Sequence, residues 1–284
     1  MPVSTPTPHP VRKKPVPVKR RRKSRKKRLQ RQILRLSLCA LVLVSVVGLF
    51  IQIPKLFHKK SDKPYTKGEG PWCIALDAGH GGKDSGASGI IQEVELTEAT
   101  VHQLQSILNQ DKRFKVVLCR EFGETVEKPS ERAISSNKQG ADLLLSVHGN
   151  SDPTGEAYGF ECYPVPPGRE LADFSLEFGQ LLAESFEQAG ARLRGTEGIR
   201  YAYYEGEEND VKVIREGSDK TIYETPSFGI LEVSKCPAVL AEQCFITNQG
   251  DFELFGTQEG IARAANAYYQ AICHFFEVEP MVLQ

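Results

Sequence analysis

No aspartate or glutamate occurs in residues 1–35, yet the segment holds fourteen of the 36 Lys and Arg residues, from Arg12 to Arg35. The balanced total of 36 basic and 36 acidic side chains therefore conceals a basic tail on an acidic body. The body keeps 22 basic groups against 36 acidic ones, a net charge of −14. A body of that sign argues against nucleic acid as a partner. No CxxC pair is present among the seven cysteines, which argues against thiol-based zinc or redox motifs. Cys39 lies in an apolar run. Of the other six, Cys73, Cys119, Cys162 and Cys244 sit inside strand-like core stretches. Although an exported domain permits disulfides, the pattern reads as buried free thiols. Internal repeats are also missing, which excludes a solenoid or propeller.

Long apolar runs are confined to one place. Residues 33–53, ILRLSLCALVLVSVVGLFIQI, carry one charge, Arg35, and no polar face. About 20 residues of helix cross a bilayer core, so the run reads as a transmembrane helix and not as a buried soluble one. The cluster Lys19 to Arg31 on its amino side fixes orientation, with the tail in the cytoplasm and the body outside. The run KRRRKSRKKR has the composition of a nucleic-acid patch, but next to a span it fits anionic lipid better. No small-residue cleavage pattern follows the apolar run, which favours an uncleaved signal anchor over a removed signal peptide. The expected organisation is a basic tail at 1–32, a span at 33–53 seated in the cytoplasmic membrane, a polar stalk at 54–70 and one catalytic domain at 71–284. The expected localisation is the cell membrane, single-pass, and the expected state is a monomer.

Within the body, strand-like stretches at 72–78, 114–119, 143–148, 159–163, 228–233 and 238–244 alternate with helical periodicity at 94–110, 130–139, 169–189 and 258–276. Ser130 is positioned to cap the second helix. In the last, Ile261, Ala264, Ala265, Tyr268 and Ile272 share a face. The alternation predicts an α/β fold: a three-layer αβα domain with a twisted, mostly parallel or mixed sheet of about six strands. The segment 195–227, rich in acids and tyrosines, interrupts the rhythm and reads either as a substrate-facing flap or as a solvated insertion.

Two strands end in histidine next to glycine. IALDAGHGG brings a strand into His80, and ADLLLSVHGN ends one at His148. Ligands of open α/β sheets bind outside the carboxyl ends of strands, and glycine lets backbone and ligand approach closely. Two carboxylates share this context. Glu93 opens the helix after the first histidine loop, with Glu95 and Glu98 close enough to compete for its role. Glu242 lies near the end of the apolar strand PAVLAEQCF, and a carboxylate is costly to bury without a partner. Two imidazoles and one carboxylate make a three-ligand catalytic zinc site, and a further carboxylate can move protons. His9, His58, His102 and His274 lack this context and read as surface residues.

The segments LDAGHGGKDSGA, QEVELTEA, REFGETVEKPSERAISSNKQGADLLLSVHGNS and PAVLAEQCFITN, in that order over about residues 72–278, resemble the zinc-dependent N-acetylmuramoyl-L-alanine amidases of amidase family 3. The resemblance implies Zn²⁺ held by His80, Glu93 and His148, with Glu242 as the catalytic carboxylate and peptidoglycan as the partner. It places Arg132 and Asn137 as supports of the sheet end near His148. Asn150 then orients the second histidine or meets substrate. It implies hydrolysis of the amide between N-acetylmuramic acid and the L-alanine of the stem peptide. Departures occur at Val94, often Lys, at Gly149, often Ala, and at Gln243 and Cys244, which stand where small or apolar residues and Gly are common. Cys244 there could narrow the pocket or ligate metal. A zinc peptidase of stem peptides, a catalytically silent wall-binding protein and a cysteine hydrolase using Cys244 are the other classes the residues allow.

Overall fold

The structure is a computed structural model and describes Gln30, residues 65–125 and residues 128–282. The apolar run at 33–53 lies outside the described residues. Among those described, no helix is long and apolar enough to cross a membrane.

The chain lays down β1 (Trp72–Ala78), α1 (Glu93–Leu108), β2 (Phe114–Leu118), α2 (Pro129–Lys138), β3 (Leu143–Asn150), β4 (Glu161–Pro164), α3 (Ala172–Gln188), β5 (Arg200–Glu205), β6 (Val211–Glu216), α4 (Gly229–Glu232), β7 (Ala238–Phe245), α5 (Gln249–Phe255) and α6 (Gln258–Phe275). Five strands form the main sheet in the order β2-β1-β3-β7-β4. The first four are parallel and β4 runs antiparallel to β7. The strands β1, β3 and β7 are apolar along almost their whole length, as a sheet covered on both faces requires. One apolar cluster joins Leu76, Leu96, Leu104, Phe178, Phe186 and Tyr268. The other joins Ala75, Val117, Ala133, Leu144, Ile230 and Leu240. The three-layer arrangement expected from the alternation is present.

This order creates the place for a site. From β1 the chain moves out to β2, then returns across β1 to β3. The connections after β1 and β3 therefore diverge, and the crevice at the carboxyl ends of those two strands is a topological switch point. His80 and His148 flank it.

Several expectations change. The main sheet has five strands, because 228–233 is not a strand. Residues Gly229–Glu232 form the short helix α4 instead, with Ile230 and Leu231 buried. Segment 195–227 is not an unstructured insertion: it faces the cleft beside Glu242 through Arg200, Lys212 and Ile214. Its strands β5 and β6 pair as a hairpin, and Tyr201 and Tyr203 bury in the main core. Ser130 is not a cap, since α2 starts one residue earlier with Pro129 in its first turn, where a missing N–H costs nothing. The stalk expected at 54–70 also ends early. The Tyr65 hydroxyl donates to the Asp142 carbonyl at 2.9 Å, Lys67 pairs with Glu177 at 2.6 Å, and Trp72 donates to the Lys67 carbonyl. Helix α6 is capped by Thr257, which accepts from Gly260 N; of its expected face Ala264, Ala265, Tyr268 and Ile272 are fully buried and Ile261 is half-buried.

Candidate metal centre and active-site cleft

The loop after β1 is held from beneath. Arg120, itself buried, donates to the carbonyls of Ala78 and Gly79 and pairs with Glu98 of α1. Thr97 adds a second donor to the Gly79 carbonyl. On this base His80 adopts a left-handed backbone, φ 64°, a conformation that non-glycine residues rarely take and that clusters at functional sites. The flanking glycines make room for the imidazoles. A Cβ on Gly79 would lie 2.5 Å from the His148 ring, and one on Gly86 would lie 2.6 Å from Glu93 Oε2.

His80, Glu93 and His148 converge. Each offers a ligand atom within 4.8 Å of the others. Glu93 Oε1 lies 3.0 Å from His80 Nε2 and 2.9 Å from His148 Nδ1. It also accepts from Gly149 N, while Oε2 accepts from Ala87 N. Glu95 and Glu98 do not compete: Glu95 is exposed and Glu98 is spent on Arg120. Burial works to raise the Glu93 carboxyl, but hydrogen bonds and charge from His148 and His80 outweigh it and hold the group far below the usual carboxylate range. Burial likewise works to lower His80, and the carboxylates of Glu93 and Asp84 override it, raising the ring to about 8. Both shifts describe a site demanding positive charge. A divalent cation supplies it without protonating the ligands. The donor set is that of a catalytic zinc site, and the residues fit the ion.

Asp84 escaped the sequence reading. It accepts from His80 Nδ1 at 2.9 Å, which leaves Nε2 toward the centre, the usual outer support of a metal-bound histidine. Its signal was an acid four residues past a glycine-flanked histidine.

Glu242 stands across the ladder from His148 on one side and from Glu161 on the other. The β3–β7 register shifts between His148 and Asn150, and such an irregularity turns side chains at a sheet end. Glu242 Oε2 is buried and has no hydrogen-bond partner among the described residues. Burial, opposed by His148 and reinforced by Glu93, raises its carboxyl to about 7. Glu161, also missed, is saturated: Asn150 and the Tyr163 hydroxyl bond Oε1, and Arg194 and Arg200 bond Oε2, all at 2.8–2.9 Å. It carried the same cue as Glu242, an acid inside an apolar strand.

The remaining expected residues separate. Asn150 borders the cleft but bonds Glu161, not the His148 ring. Arg132 pairs with the fully buried Asp77 at 2.7 Å, and Ser146 donates to the other oxygen of Asp77. That tie joins α2 to the sheet two residues before His148. Asn137 is not a support of that sheet end. It bonds the Val233 carbonyl and Lys235 N before β7 begins, at the opposite end of the sheet from the metal centre. Cys244 neither narrows the pocket nor reaches the metal set. It is fully buried in the main core, and burial pushes its thiol far up, which removes it as a nucleophile. All six described cysteines are buried and free.

A cleft of about 300 Å³ opens beside Glu242, lined by Asn150, Glu161, Tyr163, Arg194, Arg200 and Lys212 among others. A larger groove of about 690 Å³ follows β2, lined by Lys115, Leu118 and Glu131, and holds neither the three converging side chains nor Glu242.

Residues 74–274 match the family described as N-acetylmuramoyl-L-alanine amidase. The chain is 42% identical over 208 residues to an endolysin of Bacillus phage SPP1, covering 68% of this chain and 66% of that protein. It is 29% identical over 209 residues to the N-acetylmuramoyl-L-alanine amidase CwlM of Bacillus licheniformis, covering 72% and 69%. The solved catalytic domain of CwlV, an N-acetylmuramoyl-L-alanine amidase from Bacillus (Paenibacillus) polymyxa var. colistinus, superposes with a TM-score of 0.57 at 26% identity, covering 73% of this chain and 99% of that domain. A crystallised N-acetylmuramoyl-L-alanine amidase from Clostridium difficile 630 shares the fold, with a TM-score of 0.58 at 23% identity and coverage of 72% and 97%. With the match running through all three converging side chains and Glu242, the chain belongs to the N-acetylmuramoyl-L-alanine amidase family.

Proposed function

We propose that this protein is a peptidoglycan hydrolase that cleaves the amide between the lactyl group of N-acetylmuramic acid and the L-alanine of the stem peptide. The observation that carries the reading is the convergence of His80, Glu93 and His148 beside a buried, unpartnered carboxylate, Glu242. His80, Glu93 and His148 would hold Zn²⁺, which supplies carbonyl polarisation and acidifies water.

The protein's own residues do the rest. Glu93 offers negative charge between the two imidazoles, and Asp84 fixes the tautomer of His80. Glu242, raised to about 7, accepts the proton of the attacking water and returns it to the leaving amine. Among the described residues its Oε2 has no hydrogen-bond partner.

A membrane span at 33–53 and a domain facing outward belong to the same proposal. They rest on the basic cluster and apolar run of the sequence and would place the domain beside its polymer as a monomer. Digestion of sacculi followed by mass analysis tests the reading. Free lactyl ends and intact stem peptides support it. Shortened peptides would indicate a peptidase, and wall binding without products a silent scaffold. Activity abolished by a chelator, restored by Zn²⁺ and untouched by thiol alkylation is the expected pattern.

A further inference from the structure

The hairpin β5–β6 is the part of the cleft that the proposed chemistry leaves unexplained. Its approach is tied to β4 through the bridge between Cys162 and Ile199, and β6 then runs along the cleft, exposing Lys212 and Ile214 to it. Three cationic side chains line this space, Arg194, Arg200 and Lys212. The two arginines are committed, since both bond Glu161 Oε2 at 2.9 Å and Arg200 also pairs with Glu216. Among the described residues Lys212 makes no ion pair; its ammonium rests 4.9 Å from the Phe228 ring. That contact restrains a flexible side chain without neutralising it. The charge faces the cleft, because Lys212 and Glu242 line the same space.

Position says which part of a substrate meets this cation. A group that returns a proton to a leaving amine must stand on the amine's side of the scissile carbonyl. Glu161 pairs with Glu242 on the side away from His148, and on that side the cleft extends from Glu242 past Glu161 to Arg200 and Lys212 of the hairpin. The cleft therefore receives the departing peptide, and the metal side holds the acyl group. Resting on the function proposed above, we propose that Lys212 is a specificity residue that recognises a carboxylate on the leaving peptide, so that the protein prefers stem peptides whose carboxyl near the scissile amide is free over those in which it is amidated. The preference arises from Coulomb attraction at a partly solvated site, which is worth about a fivefold difference.

Two muramyl peptides that differ only in a free or amidated carboxyl on the second stem residue test this. The full chain loaded with Zn²⁺ is expected to favour the free acid about fivefold in kcat/KM. Lys212→Gln should bring the ratio close to one, Lys212→Arg should keep it, and Lys212→Glu should invert it. Titration of the released peptides into the same proteins should show the same ratios in Kd. A parent ratio near one, or a ratio untouched in Lys212→Gln and Lys212→Glu, overturns the inference while leaving the amidase reading in place. Discrimination in peptide binding without any turnover supports the carboxylate subsite and overturns the amidase reading instead.

Discussion

Glu242→Gln should make the metal-free protein more stable while removing its turnover. The carboxyl is raised by burial from 4.5 to about 7, and one oxygen has no partner. Each tenfold change in proton affinity is worth about 1.4 kcal/mol, so the shift corresponds to about 3 kcal/mol of conflict between ionisation and folding. The sign follows from the raised value. Below the unfolded-state value near 4.5 the group is protonated in both states and costs nothing. As pH rises toward and past 7, the folded state must ionise a desolvated acid or hold a proton that the unfolded chain releases. Stability is lost across that window. Glutamine keeps the shape and never ionises. After chelation, the Gln variant should match its parent near pH 4.5 and exceed it by about 3 kcal/mol at pH 8. For a domain of this size that is roughly 6–12 °C in Tm. Denaturant titration at the two pH values reads the difference directly. Equal stability at pH 8 would mean that the carboxylate is already satisfied, and the account of it as a waiting proton acceptor would fail.

Other perturbations follow from the same geometry. Arg132→Met leaves the fully buried Asp77 with only Ser146 for company; breaking such a pair costs about 3–5 kcal/mol, read by urea unfolding, and a loss under about 1 kcal/mol would contradict it. Gly79→Ala drives a methyl group against the His148 ring, so the purified variant should fold by circular dichroism yet retain far less zinc by elemental analysis. Asp84→Asn removes the carboxylate that orients His80 and should weaken zinc about 10–100-fold in chelator competition, with little change in denaturation midpoint because Asp84 is exposed.

The sequence was legible where periodicity was long or chemistry was unusual. Strands β1, β3 and β7 announced themselves as continuous apolar runs, and α6 by its repeating face. The histidines that follow β1 and close β3 stood out because each sits beside glycine. The structure gives the reason in steric terms: the missing Cβ of Gly79 is the space the second imidazole fills. Short runs were ambiguous, and PSFGILEV became a helical turn because burial of Ile230 and Leu231 was decided by neighbours the sequence does not display. Arg132 and Asn137, five residues apart, looked alike but point to opposite ends of the sheet. Glu161, Arg194 and Arg200 were invisible as a group, since their meeting depends on the antiparallel return of β4 and the hairpin beyond it.

The alignment of His148, Glu242 and Glu161 on three neighbouring strands has a consequence for how the molecule can go wrong. Side chains alternate along β7, so sliding it by one position against β3 would turn Glu242 toward Phe186 and Tyr268 and swing Cys244's neighbour Gln243 into the catalytic row. Correct pairing and enzymatic competence are thus the same property of this sheet. A mis-threaded molecule would be discarded by its own instability before it could persist as a well-folded but idle protein.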